Sequence, residues 1–169
     1  MKILITIVNI FVVIMTNKFP NVVGSNLNGD RIRIPSELKG DYNILLVPFQ
    51  QWQQGLVNSW VPFLEHLMEK KEWFDYYELP TIRKMNVFFR RMIDGGMRGG
   101  IPSRDTRGRT VTLYIDKAPF KEQLEIPTED TLYLYLVDKN GTIFWRESGE
   151  ISDEKATSLE NALGEVMNQ

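Results

Sequence analysis

The sequence contains no cysteine. That absence excludes disulfides, thiolate metal sites and any reaction that begins with thiolate attack. Histidine is nearly absent as well. His66 is the single copy, which excludes a multi-histidine zinc site and leaves only one candidate base for a Ser-His-Asp triad. Charge of one sign is also lacking. The net charge of −2 does not mark the whole chain as a polyanion binder. No apolar run is long enough to cross a bilayer, which takes roughly 20 residues.

The apolar run that does occur, Ile3 to Ile14 (ILITIVNIFVVI), follows Lys2 and suits the core of a signal peptide or anchor. No clean Ala-x-Ala site follows it; Val22-Val23-Gly24 is a poor substitute. Two other readings stand beside that one: translation starting at Met15, and a buried β-branched strand. Residues 1–15 are therefore set aside as a leader, and residues 16–169 are read as the folded domain. A hydrophobic share of 43% with 25% charged residues suits a soluble globular unit with one sizeable core. An exported or membrane-associated protein follows from the first reading of the leader, a cytoplasmic one from the Met15 start.

Turn chemistry and periodicity divide the rest. Asn28-Gly29-Asp30, followed by the alternating Arg31 to Ile34, predicts an N-terminal hairpin. Asn43 to Phe49 (NILLVPF) reads as a central strand buried on both faces. Leu56 to Lys70 has helical spacing, with Leu56, Trp60, Phe63, Leu64 and Leu67 on one face and Pro62 as a kink. Phe74 to Leu79 is a strand ended by Pro80. Asn86 to Asp94 is a helix, and residues 95–109 form a glycine-rich loop. Thr110 to Ile115 is a strand, and Pro119 to Leu124 a helical turn. Thr131 to Val137 and Thr142 to Arg146 form a hairpin around Asp138-Lys139-Asn140-Gly141. Ser152 caps a last helix whose inner stripe is Ala156, Leu159, Leu163 and Val166. This order predicts an α/β fold, a three-layer sandwich with a central mixed sheet, flanking helices and an N-terminal β-hairpin.

The order resembles that of the thioredoxin-like superfamily, in particular its peroxiredoxin and thiol-disulfide oxidoreductase branches. Three stretches carry the likeness: FPNVVGSNLNGDRIRIPSELKGDYNILLVPF, WQQGLVNSWVPFLEHL and YLYLVDKNGTIFWRESGEIS. The resemblance implies a thiol site in the second stretch, and there this chain departs from it. Gln53 or Gln54 stands at the first cysteine's place and Val57 near the second's. The family's cis-proline place falls at Thr131 or Leu132, with Pro127 several residues too early. The closing segment LYLVDKNGTIFWRESGEIS is also similar to that of mitochondrial ATP-synthase assembly factors with a peroxiredoxin-like domain. That similarity implies an assembly role in place of catalysis.

Two segments are candidate sites. Between Arg83 and Arg109 lie eight cations against Asp94 and Asp105, a local charge of +6. Arg90, Arg91, Arg98, Arg104, Arg107 and Arg109, with the glycines among them, could form an anion-binding nest. It matches neither a Walker loop nor a dinucleotide fingerprint. The plainer reading is a solvated loop whose arginines pair with carboxylates elsewhere. Trp52, Gln53 and Gln54 offer a pocket inherited from the redox site, or else a Trp52 that caps the core with glutamines facing water. His66 falls on the outer face of its helix. Phe144 and Trp145 alternate, so one should face the core and the other could mark a partner surface. The expected function is a redox-inactive thioredoxin-fold binding or assembly module with a protein partner and no cofactor. The alternative is an enzyme or binding protein for an anionic small molecule using residues 83–109. Nucleic acid is the least favoured partner, and membrane association through residues 1–15 goes with the leader reading.

Overall fold

The computed structural model describes residues 17–169, so the readings of residues 1–15 lie outside it. The hairpin forms as expected from β1 (Val22–Asn26) and β2 (Arg31–Ile34), with Val22 opposite Ile34. Its turn is held by the Asn26 side chain, whose Oδ1 accepts from the amides of Asn28 and Asp30. β3 (Tyr42–Val47) pairs parallel with β4 (Phe74–Glu78) and antiparallel with β7 (Tyr133–Asp138), which continues into β8 (Ile143–Ser148). The order β4-β3-β7-β8 makes one sheet.

A second sheet has the order β2-β1-β6-β5, with β5 at Thr81–Arg83 and β6 at Val111–Ile115. The expected central sheet is thus two four-stranded sheets, joined at Pro80. The 74–83 stretch changes partners around that residue, which has no amide hydrogen to give on the β6 side. On one side the amides of Leu79 and Thr81 donate to the carbonyls of Leu46 and Pro48; on the other, Leu113 donates to the carbonyl of Pro80. An isolated bridge, Glu78 to Thr110, adds to the link. β5 itself, three residues long, was not evident from the sequence. Gly24 is required where β1 crosses β6, since a Cβ there would sit 2.5 Å from the Val111 side chain.

Alternation along β3 and β7 sends side chains to two cores. Ile44, Leu46, Leu134 and Leu136 pack under α1 (Gln54–Lys70) and α5 (Asp153–Met167), against Trp60, Leu64, Leu159 and Leu163. Leu45, Val47, Tyr135 and Val137 face Phe19, Ile34, Val111, Leu113 and Phe120, so the second sheet and α4 (Lys117–Gln123) cover the opposite face. This is the predicted three-layer α/β sandwich. The buried stripe of α1 is Val57, Trp60, Leu64 and Leu67, shifted from the expected one, with Leu56 and Phe63 only half-buried. The helix runs through Pro62, which lies on its exposed side.

Residues 84–110 are the crossover between the parallel strands β5 and β6. Its end is anchored by Arg109, whose Nε donates to Oδ1 of Asp75 at 2.9 Å. Asp75 is buried in β4 and also accepts from the Tyr76 amide and the Tyr77 hydroxyl. Removing Arg109 leaves that carboxylate buried without its cation. Arg109→Ala should cost about 3 kcal/mol, read as a lower urea midpoint, and Asp75→Asn should restore part of the loss in the Arg109→Ala background.

Candidate functional site

β3 runs into the loop Pro48 to Gln50, a 3-10 turn over Gln51–Gln53, and then α1. The loop turns amides inward at Phe49 and Gln50, and buried amides need acceptors. Gln53 supplies one. Its side chain is fully buried, and Oε1 accepts from Phe49 at 2.7 Å and from Gln50 at 3.3 Å. Its Nε2 donates to the carbonyl of Glu129 at 2.7 Å. One amide thereby joins the loop before α1 to the segment before β7. A thiol offers one weak donor and a weak acceptor and could not make this set.

Both readings of the Trp52-Gln53-Gln54 loop need correction. Trp52 does not cap the core, being 62% exposed. Gln53 does not face water, and its amide is committed to backbone groups and closed to a ligand. Gln54 lies at the surface with Trp52 and donates to Asn58 at 3.1 Å. At the other replaced positions, Val57 and Leu132 are both core residues.

The surroundings of Gln53 hold charged groups that the sequence did not single out. The Glu129 side chain receives Lys117 at 2.6 Å and Lys121 at 2.9 Å. Partial desolvation pushes its carboxyl up, but the two lysines outweigh that and hold it below the usual carboxylate range. Arg83, Lys84, Lys117 and Lys121 line a shallow hollow of about 400 Å³ beside it. On the α1 side, desolvation pushes Glu78 up to about 7, with the Gln54 amide opposing. Among the described residues no three His, Cys, Asp or Glu side chains group to hold a metal.

The Arg83 to Arg109 segment is not a glycine-rich loop. α2 extends over Val87–Gly100, and α3 covers Arg104–Arg109. Gly95, Gly96, Gly99 and Gly100 are helical, so they do not form the successive outward amides of a nest. The helix persists although each glycine costs about 1 kcal/mol relative to alanine. It is capped by Asn86, whose side chain accepts from the Phe89 amide. The arginines divide. Arg109 is held by Asp75 and so leaves the candidate anion site. Arg90 lies over the Tyr114 ring at 4.6 Å. Arg107 is half-buried, with its Nε enclosed and unpartnered. Arg91, Arg98 and Arg104 are exposed and form no ion pair among the described residues. The reading that these arginines pair with distant carboxylates therefore holds for Arg109 alone.

Phe144 and Trp145 also depart from expectation. β8 is bulged: Trp145 pairs with Leu136 and Ile143 with Val137, leaving Phe144 as the extra residue. Alternation fails there, and both rings turn toward the α1 and α5 core. Phe144 packs on Tyr42 and Trp145 on Trp60, at 5.5 and 6.1 Å between centroids. Trp145 also donates to Ser158 at 3.0 Å. Neither is an exposed partner aromatic. His66 is exposed on α1, as expected.

A family model described as ATP10 protein matches residues 1–166. The chain belongs to the ATP10 protein family. The resemblance in the closing β7-β8 segment is thus borne out over nearly the whole length. No curated protein matches the sequence. Among solved structures, a thiol:disulfide interchange protein from Bacteroides sp. is 20% identical, with a TM-score of 0.59 over 85% of this chain and 86% of the other. The exposed lipoprotein thioredoxin Etrx1 of Streptococcus pneumoniae is 11% identical, with a TM-score of 0.56 over 86% and 99%. BsSco, of the Sco family of cytochrome c oxidase assembly proteins, is 12% identical, with a TM-score of 0.56 over 86% and 92%. At these identities the likeness shows the fold: thioredoxin-like, carried by a chain without cysteine.

Two outcomes follow from this geometry. Gln53→Ala strands the buried Phe49 amide and the part-buried Gln50 amide and Glu129 carbonyl, and should cost about 3 kcal/mol, measured by urea unfolding. Glu78 binds its proton more tightly folded than unfolded, so folding takes up a proton between pH 4.5 and about 7. Stability from this group is full below that window and lost as pH rises through it. Glu78→Gln should remove this slope and stabilise the protein at pH 8 by about 2 kcal/mol.

Proposed function

We propose that this chain is a thiol-independent assembly factor, a thioredoxin-fold module that acts by binding a protein. Family membership supports an assembly role, and subunits of ATP synthase are the partner class it suggests. The observation that carries the reading is the Gln53 joint. Where the resemblance places a reactive thiol, the chain has a buried amide that bonds three backbone groups. Such a group neither transfers electrons nor opens for a substrate. The second thiol place, Val57, is filled by core packing. What the fold retains is a rigid body with surfaces, and surfaces act through complementarity.

The anionic small-molecule alternative has no comparable support. The glycines it needs as a nest are helical, and Arg109 is already paired. The hollow beside Glu129 is lined by cations, but two of its lysines are already paired with that carboxylate.

Purified protein should reduce no insulin with dithiothreitol and consume no peroxide above buffer. In-cell crosslinking followed by mass spectrometry should recover ATP synthase subunits joined to this chain. Turnover in either assay, or crosslinks that repeatedly omit every ATP synthase subunit, would overturn the reading.

A further inference from the structure

α2 is the one long helix described that buries no residue. Val87, Phe88, Phe89 and Met92 are 59%, 68%, 52% and 60% exposed. Phe88 and Met92 are four apart and Phe89 and Met92 three apart, so the three share one face. The opposite face meets the protein body. There Asp94 accepts from the Tyr114 hydroxyl at 2.6 Å, the Arg90 carbonyl accepts from it at 3.3 Å, and the Arg90 guanidinium covers the ring. The helix is therefore held through Tyr114, with Ile93 and Met97 half-buried on that side, and turns its largest apolar side chains outward.

Charge tells what that face meets. Arg91 and Arg98 lie beside it on α2, while Arg83 and Lys84 precede the helix and Arg104 opens α3, all exposed and none in an ion pair among the described residues. Of the two acids nearby, Asp94 is engaged by Tyr114. An apolar stripe bordered by unneutralised arginines matches a boundary where acyl chains give way to anionic headgroups. The helix also needs such a surface. Four of its fourteen residues are glycine, and no burial offsets their poor propensity.

We propose that α2 is an interfacial helix that docks this protein on an anionic lipid bilayer. Phe88, Phe89 and Met92 enter the acyl boundary, and Arg91 and Arg98 sit at the headgroup phosphates. The site is independent of the Gln53 joint and of the protein partner proposed above.

The test uses the full chain sedimented with vesicles of phosphatidylcholine alone or mixed with phosphatidylserine. Mixed vesicles should bind roughly tenfold more tightly, and the preference should fade with added salt. The triple variant Phe88→Ser, Phe89→Ser, Met92→Ser should lose roughly tenfold or more of that binding. Its thermal unfolding should match the parent, because the side chains removed are exposed. Arg91→Glu with Arg98→Glu should abolish the preference for mixed vesicles. The emission of a Phe89→Trp variant should shift to the blue on mixed vesicles. Equal binding of the parent and the triple variant, which locates membrane contact elsewhere in the chain, overturns the proposal. So does a Phe89→Trp variant whose emission stays unshifted. So does a parent that ignores vesicles while the triple variant loses crosslinks to a protein subunit, which would make this face a protein interface.

Discussion

The Gln53 amide is the contact on which the reading of this molecule depends. It ties the β3–α1 loop to the segment before β7, which are the two places where the resemblance puts a thiol and a cis-proline. In a redox protein of this fold those segments frame a reactive atom. Here one side chain accepts twice from the first and donates once to the second. Three backbone groups that would otherwise need water are satisfied in a dry setting, where an unmade bond is expensive. Glu129 extends the joint, because its carboxylate gathers Lys117 and Lys121 onto the same segment. Where the resemblance places a reactive centre, this chain has a structural tie.

A second tie decides what the surface displays. At Pro80 the chain passes from one sheet to the other and enters the parallel β5–β6 pair. A parallel pair requires a crossover, and residues 84–110 are that crossover. Arg109 closes it onto Asp75 in β4. Both ends of the connection are thereby fixed, while its middle, α2, is held mainly through Tyr114. The exposed position of α2 follows from this anchoring pattern.

The fold was legible because it is written in period and turn chemistry. The Asn28-Gly29-Asp30 and Asp138 to Gly141 turns, the NILLVPF strand and the capped last helix all appear where local signals put them. What the sequence hid depends on partners distant in the chain. Gln53 looks like a loop glutamine until the carbonyl of Glu129 arrives from 76 residues away. The bulge at Phe144 shifts both aromatics to one face, and no residue in β8 announces it. Glycine content argued for a loop at 95–109, yet α2 runs on to Gly100 and α3 covers Arg104–Arg109, against local propensity. β5 was missed because three residues carry too little pattern.

These two ties together leave the two sides of the molecule with different surfaces. The place where the resemblance puts a thiol is filled by a bonded amide and two core residues. The aromatics of β8 are turned inward, which leaves little apolar surface on that side beyond the shallow groove that Phe144 and Trp145 share with α5, where Asp153, Glu154 and Glu165 add acid. The crossover presents the opposite character: phenylalanines, methionine and valine in water, with the exposed Arg91 and Arg98 on the same helix. Soluble surfaces rarely keep such a face uncovered. A chain of net charge −2 that concentrates its cations beside its exposed aromatics is polarised, with an acidic groove at α5 and a basic apolar ridge at α2. That polarity orients the body with respect to whatever anionic surface it meets, and it leaves the α5 side free for a second contact.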